Sequence, residues 1–144
     1  MAPIVVDASV VAKWYLPEQH HEQARALRDD YLNGTHDLYA PALLPFELLN
    51  ALKYSGHFDS GELREAATSA SEYGLELVPF HELGAVVSIA TAADVTIYDA
   101  SYVALARSHE TTVYTADTAL LDALADTPYS DAAAHIQSYP EQRT

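Results

Sequence analysis

Cysteine is absent from this 144-residue chain, which excludes disulfides and thiolate chemistry outright and leaves oxygen or imidazole as the only ligands for a metal ion. Lysine is almost absent too, represented by Lys13 and Lys53 alone. Seven Lys+Arg residues face 21 Asp+Glu, a net charge of −14 with histidine neutral. At ordinary salt such a surface repels polyphosphates. The scarcity of lysine and the scatter of acids along the whole chain favour adaptation to a salt-rich cytoplasm, because at 1 M salt the Debye length falls to about 3 Å. There is no apolar run of membrane-spanning length, and the start Met-Ala-Pro-Ile-Val-Val-Asp carries neither a basic region nor a signal-like apolar segment. The expectation is a soluble, cytoplasmic protein. Repeats, low-complexity tracts and Gly/Ser linkers are missing, so residues 1–144 read as one domain with a polar, frayed tail from about 140.

What is present alternates β-rich and helical stretches, the pattern of an α/β fold with a parallel sheet. Ile4-Val5-Val6 is a short buried strand ending at Asp7, 37–40 a weaker one closed by Pro41, 75–80 a third and 112–115 a fourth. Ala134 to Gln137 is a candidate edge strand. Helices are expected over 18–32, 43–54, 60–73, 82–92, 96–109 and 118–125, with Ser60 as an N-cap and Gly74 as a stop.

Three acids occupy comparable places: Asp7 and Asp117 each follow a strand, and Asp99 opens a helix. In an open parallel sheet these positions gather at one edge, where ligands bind. Glu47, in an apolar helix, is able to join them. Carboxylates crowded together repel unless one takes a proton or a cation intervenes, and an all-oxygen set suits Mg²⁺ or Mn²⁺. Each acid also has a plainer role. Asp7 and Asp117 are ready helix caps, Thr96 with Asp99 matches a capping box, and Glu47 fits a solvent-facing position.

Four blocks carry a resemblance: Val5-Val6-Asp7-Ala8-Ser9, Pro45 to Leu52 around Glu47 and Asn50, Tyr98 to Ala106 beginning with Tyr98-Asp99-Ala100, and Val113 to Asp117. In that order they resemble the signature blocks of PIN-domain nucleases, and the chain length looks most like the stand-alone VapC-type toxins of toxin–antitoxin pairs. The resemblance implies a PIN-like three-layer α/β fold, with a central, mainly parallel sheet flanked by helices. It implies Mg²⁺- or Mn²⁺-dependent cleavage of RNA to 3′-hydroxyl and 5′-phosphate ends, a homodimer, and a cognate antitoxin. Asp7, Glu47, Asp99 and Asp117 would be the metal-binding acids. Ser9 and Thr115 would brace the site, with Asn50 a polar neighbour one helical turn beyond Glu47.

The competing readings are weaker. A haloacid-type phosphatase wants a second aspartate where Ser9 stands, and a receiver domain wants a lysine after a late strand, whereas both lysines come early. A PIN-like scaffold used only for protein binding remains, although it has no need of clustered like charges. The histidines form no zinc pattern and read as solvated or capping groups. Lys13 and Arg107 are candidate phosphate contacts. Trp14, Tyr98 and Tyr102 are expected to pack rather than to stack on bases.

Overall fold

The computed structural model describes residues 2–79 and 82–140. Five strands form one sheet: β1 (Ala2–Val6), β2 (His36–Pro41), β3 (Glu76–Val78), β4 (Val113–Thr115) and β5 (Ala133–His135). Their order is β3-β2-β1-β4-β5, and every neighbouring pair is parallel. Parallel neighbours require helical crossovers. These are α1 (Ala8–Val11) and α2 (His21–Leu32), then α3 (Leu44–Tyr54) and α4 (Ser60–Glu72), then α5 (Leu83–Ala93) and α6 (Ile97–Ser108), and finally α7 (Thr118–Leu124). The α/β class, with a parallel sheet flanked by helices, is as expected.

From β1 the chain winds outward through β2 and β3, then returns to place β4 and β5 on the opposite side of β1. The order therefore reverses between β1 and β4, and the crevice at the C-terminal ends of those two strands is the place where open α/β sheets bind ligands. The inner strands β1, β2 and β4 are largely buried, as a parallel sheet covered on both faces requires, whereas the edge strand β3 is exposed. Val5, Val6 and Leu38 of the sheet are fully buried, together with Leu27, Leu48, Leu52 and Val103 from the flanking helices.

Several boundaries move from their expected places. The second helix begins at His21 rather than at Glu18, because His20 takes a left-handed conformation (φ 66°) that interrupts helical geometry. The cap of α4 is Asp59, not Ser60: Asp59 accepts from the Glu62 amide at 2.8 Å while the Glu62 carboxylate accepts from the Asp59 amide at 3.1 Å. The last strand ends at His135, and Ile136–Ser138 tightens into a 3-10 turn. The expected strand end at Phe80 and the frayed tail fall largely outside the described residues. Among the described residues no single helix is long and apolar enough to cross a membrane.

Candidate active site

Asp7 stands where β1 ends, and burial has taken it almost out of solvent, at 8% exposure. It precedes α1, yet its side chain makes no cap hydrogen bond. Its Oδ2 instead accepts from Ser9 Oγ at 3.0 Å and from Thr115 Oγ1 at 2.7 Å. Each hydroxyl has one proton, so each uses its lone pairs elsewhere: Ser9 Oγ accepts from the Ala116 amide at 2.9 Å, and Thr115 Oγ1 from the Asp117 amide at 3.0 Å. The 3.3 Å approach of the two hydroxyls is then simple proximity. Asp7, Ser9 and Thr115 thus staple the end of β1 to the end of β4, across the reversal point. Burial pushes the Asp7 carboxyl above its ordinary range, and the two hydroxyls pull it only part of the way back.

Asp117 does cap its helix. One oxygen, Oδ1, accepts from both the Ala119 and the Leu120 amides, at 3.0 and 3.2 Å, and among the described residues its other oxygen is engaged in no hydrogen bond. Asp99 lies in the first turn of α6, its amide held by Thr96 Oγ1 at 3.0 Å. Burial raises its pKa, and the charges of Asp7 and then Asp117 raise it further. Glu47, half-buried in the first turn of α3, is raised by burial and by the charges of Asp7 and Asp99. These repulsions connect all four acids.

Sequence reasoning missed one member of the site. Tyr102, expected to be mere packing, is 1% exposed, and its hydroxyl donates to Glu47 Oε1 at 2.7 Å. Burial and that hydrogen bond drive its own pKa strongly upward, so it remains a donor. The signal was its position three residues after Asp99, on the same helical face. Asn50 is exposed on α3 and, among the described residues, makes no hydrogen bond to the four acids.

Among the described residues the ion pairs are Lys13–Glu18 at 3.8 Å and Arg28–Asp29 at 3.2 Å, so no basic side chain neutralises the four acids. Nor, among the described residues, do any three or more His, Asp or Glu side chains stand in an arrangement able to hold one metal ion. The acids feel one another's charge without forming a closed cage. Beside them, a groove of about 450 Å³ runs from the ends of β2 and β3 to α5 and α6, lined chiefly by apolar side chains including Leu43, Phe46, Leu83, Ile97 and Tyr98. Phe46 and Tyr98, next in sequence to Glu47 and Asp99, are 78% and 62% exposed.

The geometry agrees with comparison to known proteins. The chain belongs to the PIN domain family, whose model matches residues 4–126. PIN domains are generally nucleases. The fold is similar to that of PAE2754 from Pyrobaculum aerophilum, at 21% identity and a TM-score of 0.66, covering 95% of this chain and 91% of that one. It is similar to FitAcB from Neisseria gonorrhoeae at 22% identity and a TM-score of 0.66, covering 93% of this chain and 98% of that one. It also resembles a structure of FitAB bound to an IR36 DNA fragment, at 19% identity and a TM-score of 0.68, covering 97% of this chain and 99% of that one. No curated protein matches the sequence significantly.

Proposed function

We propose that this protein is a Mg²⁺- or Mn²⁺-dependent endoribonuclease, the cytoplasmic toxin of a VapBC-type toxin–antitoxin pair. What supports this reading is that Asp7, Glu47, Asp99 and Asp117 act on one another's charge near the sheet's reversal point, with no basic side chain paired to them among the described residues.

The donor set fits a hard divalent cation in its chemistry: four carboxylates, no sulfur and no imidazole. Mg²⁺ keeps several of its waters and takes one or two carboxylates directly, together with substrate phosphate. A loosely gathered set of acids suits it better than a closed cage would. Asp7, Asp99 and Asp117 would hold the ion, one or two of them directly and the rest through its waters, and Glu47 would position it or its waters. When bound, such an ion lowers the pKa of a coordinated water and stabilises charge on a phosphate in transfer.

The protein's own share is positioning. Ser9 and Thr115 fix the Asp7 carboxylate, Tyr102 fixes that of Glu47, and Asp117 commits one oxygen to its helix while keeping the other free. In-line hydrolysis leaving 3′-hydroxyl and 5′-phosphate ends follows from the family likeness. A cognate antitoxin and a second copy of the chain are the protein partners; the apolar groove beside the acids supports a protein partner on that face.

The test is Asp99→Asn, which keeps side-chain size and removes the charge. RNA cleavage should fall by a factor of at least about 10² with the fold retained. Wild-type cleavage by the folded variant rejects the assignment. Calorimetry separates the enzyme from a non-catalytic scaffold, which would show no saturable Mn²⁺ binding that depends on Asp7 and Asp117.

A further inference from the structure

A second group of polar side chains, two imidazoles and an ammonium, stands on the other side of β4 from Asp7. His135 closes β5 directly opposite Thr115 of β4. Residues opposed in neighbouring strands project to the same face, with strands about 4.8 Å apart. His135 therefore lies one strand outward from the threonine whose hydroxyl holds Asp7. His20 reaches it from the loop before α2, where the left-handed backbone at φ 66° brings the two imidazoles edge to face with centroids 5.2 Å apart. Lys13, on the 3-10 turn after α1, exposes only 10% of its side chain, and its charge reaches His135. Its ion pair with Glu18 is long, at 3.8 Å. Among the described residues neither His20 nor His135 is paired with a carboxylate.

Two imidazoles in ring contact, with the Lys13 charge acting on one of them, thus stand together in a chain of net charge −14. Burial, His20 and Lys13 together hold the His135 pKa below its ordinary value. An anion entering the cluster would remove that repulsion, just as a cation would among the four acids. The hydrogen-bonding groups are ready for it. The His135 Nδ1 accepts the Gln137 amide at 3.0 Å, which leaves a proton on Nε2 to be donated. Lysine supplies a point charge suited to phosphate.

We propose that Lys13, His20 and His135 form an anion site that holds a backbone phosphate of the RNA strand beside the acidic pocket. The RNA as the source of that phosphate rests on the nuclease reading. The anion site itself does not.

The test uses the full chain carrying Asp99→Asn, so that RNA is not consumed. Proton NMR of the histidine ring signals is followed against pH with inorganic phosphate, and then with a short single-stranded ribo-oligonucleotide. Phosphate should move the ring signals of His20 and His135, with the apparent pKa of His135 rising, and leave the signals of exposed His57 in place, and the oligonucleotide should do the same and displace phosphate. In the same background Lys13→Gln should weaken oligonucleotide binding about tenfold, and the slope of log K against log salt should shrink by about 0.7, the share of one phosphate on a single strand. His20→Gln with His135→Asn, which keeps an acceptor for the Gln137 amide, is the second variant should Lys13→Gln fail to fold. Phosphate binding without displacement by the oligonucleotide overturns the RNA assignment. Absence of any selective shift overturns the site. Either result leaves the loss of cleavage in Asp99→Asn untouched, so the two proposals fail separately.

Discussion

At Asp99 chemistry and stability pull in opposite directions. Its carboxyl is raised by burial, by Asp7 and by Asp117, so the folded chain binds its proton more tightly than the unfolded chain does. The favourable contribution is therefore complete below the unfolded pKa, near 3.8, and is lost as pH rises through the higher folded value. At neutral pH the ionised group is a net cost to folding. Asp99→Asn should then melt above wild type at pH 7 in the presence of a chelator, and the gap should narrow with Mn²⁺, which relieves the repulsion in wild type only. A variant that melts below wild type in chelator would show that the charge is already compensated. Tyr102 makes a complementary prediction. Tyr102→Phe removes the one hydrogen bond shown to Glu47 and nothing else of its shape. The expected loss is about 1–3 kcal/mol of stability from a half-buried, unpartnered carboxylate, with weaker Mn²⁺ binding by calorimetry. Unchanged Mn²⁺ affinity would make the tyrosine a packing residue after all.

At the scale of elements, the far side of the sheet depends on a buried polar latch. His36, at the start of β2, is 4% exposed; its Nε2 lies 3.1 Å from the Tyr139 hydroxyl, which in turn donates to Asp30 of α2. The tyrosine's only proton goes to Asp30, so the neutral ring must carry its proton on Nε2. Its Nδ1 is buried without a hydrogen-bond partner among the described residues. Burial holds the His36 pKa below 6.5 despite the charges of Asp30 and Asp37. Stability from the neutral ring is thus present above pH 6.5 and lost as pH falls through the lower folded value. Between pH 7.5 and 5.5 the urea midpoint should drop further in wild type than in His36→Gln, which keeps a donor for Tyr139 but cannot titrate. Parallel slopes would exclude His36 as the group responsible. This latch was not legible in the sequence, where His36 read as one more solvated histidine; nothing local to residue 36 says that a tyrosine 103 positions away will close over it. The acid positions were legible because strand-end carboxylates follow from local pattern plus the geometry of parallel sheets. The limits of α2 were not, because the left-handed backbone at His20 falls on a residue other than the glycine that usually signals it.

For the whole molecule the question is what −14 charges cost and when they stop costing it. Among the described residues the ion pairs are two, at 3.8 and 3.2 Å, so most of the acids meet no internal counter-charge. Their repulsion acts across the whole surface, and at 0.1 M salt, with a Debye length of about 10 Å, it reaches neighbouring elements. At molar KCl screening shrinks that range to about 3 Å, and the folded state, where the charges are densest, gains more than the unfolded chain. The melting temperature should therefore rise by more than about 5 °C between 0.05 and 2 M KCl, which corresponds to roughly 1–2 kcal/mol for a domain of this size. An equal concentration of a neutral osmolyte serves as the control for preferential exclusion. RNA binding offers an independent reading of the same field. A basic nuclease loses affinity steeply with salt as counterions re-condense on the strand. Here salt also removes the repulsion between strand and protein, so the overall decline should be shallow or reversed at low salt even though Lys13, His20 and His135 still lose their single phosphate. A melting temperature flat in KCl, together with a steep fall in RNA affinity, would mean that the acidic surface is neutralised by some other means and that salt plays no part in its design.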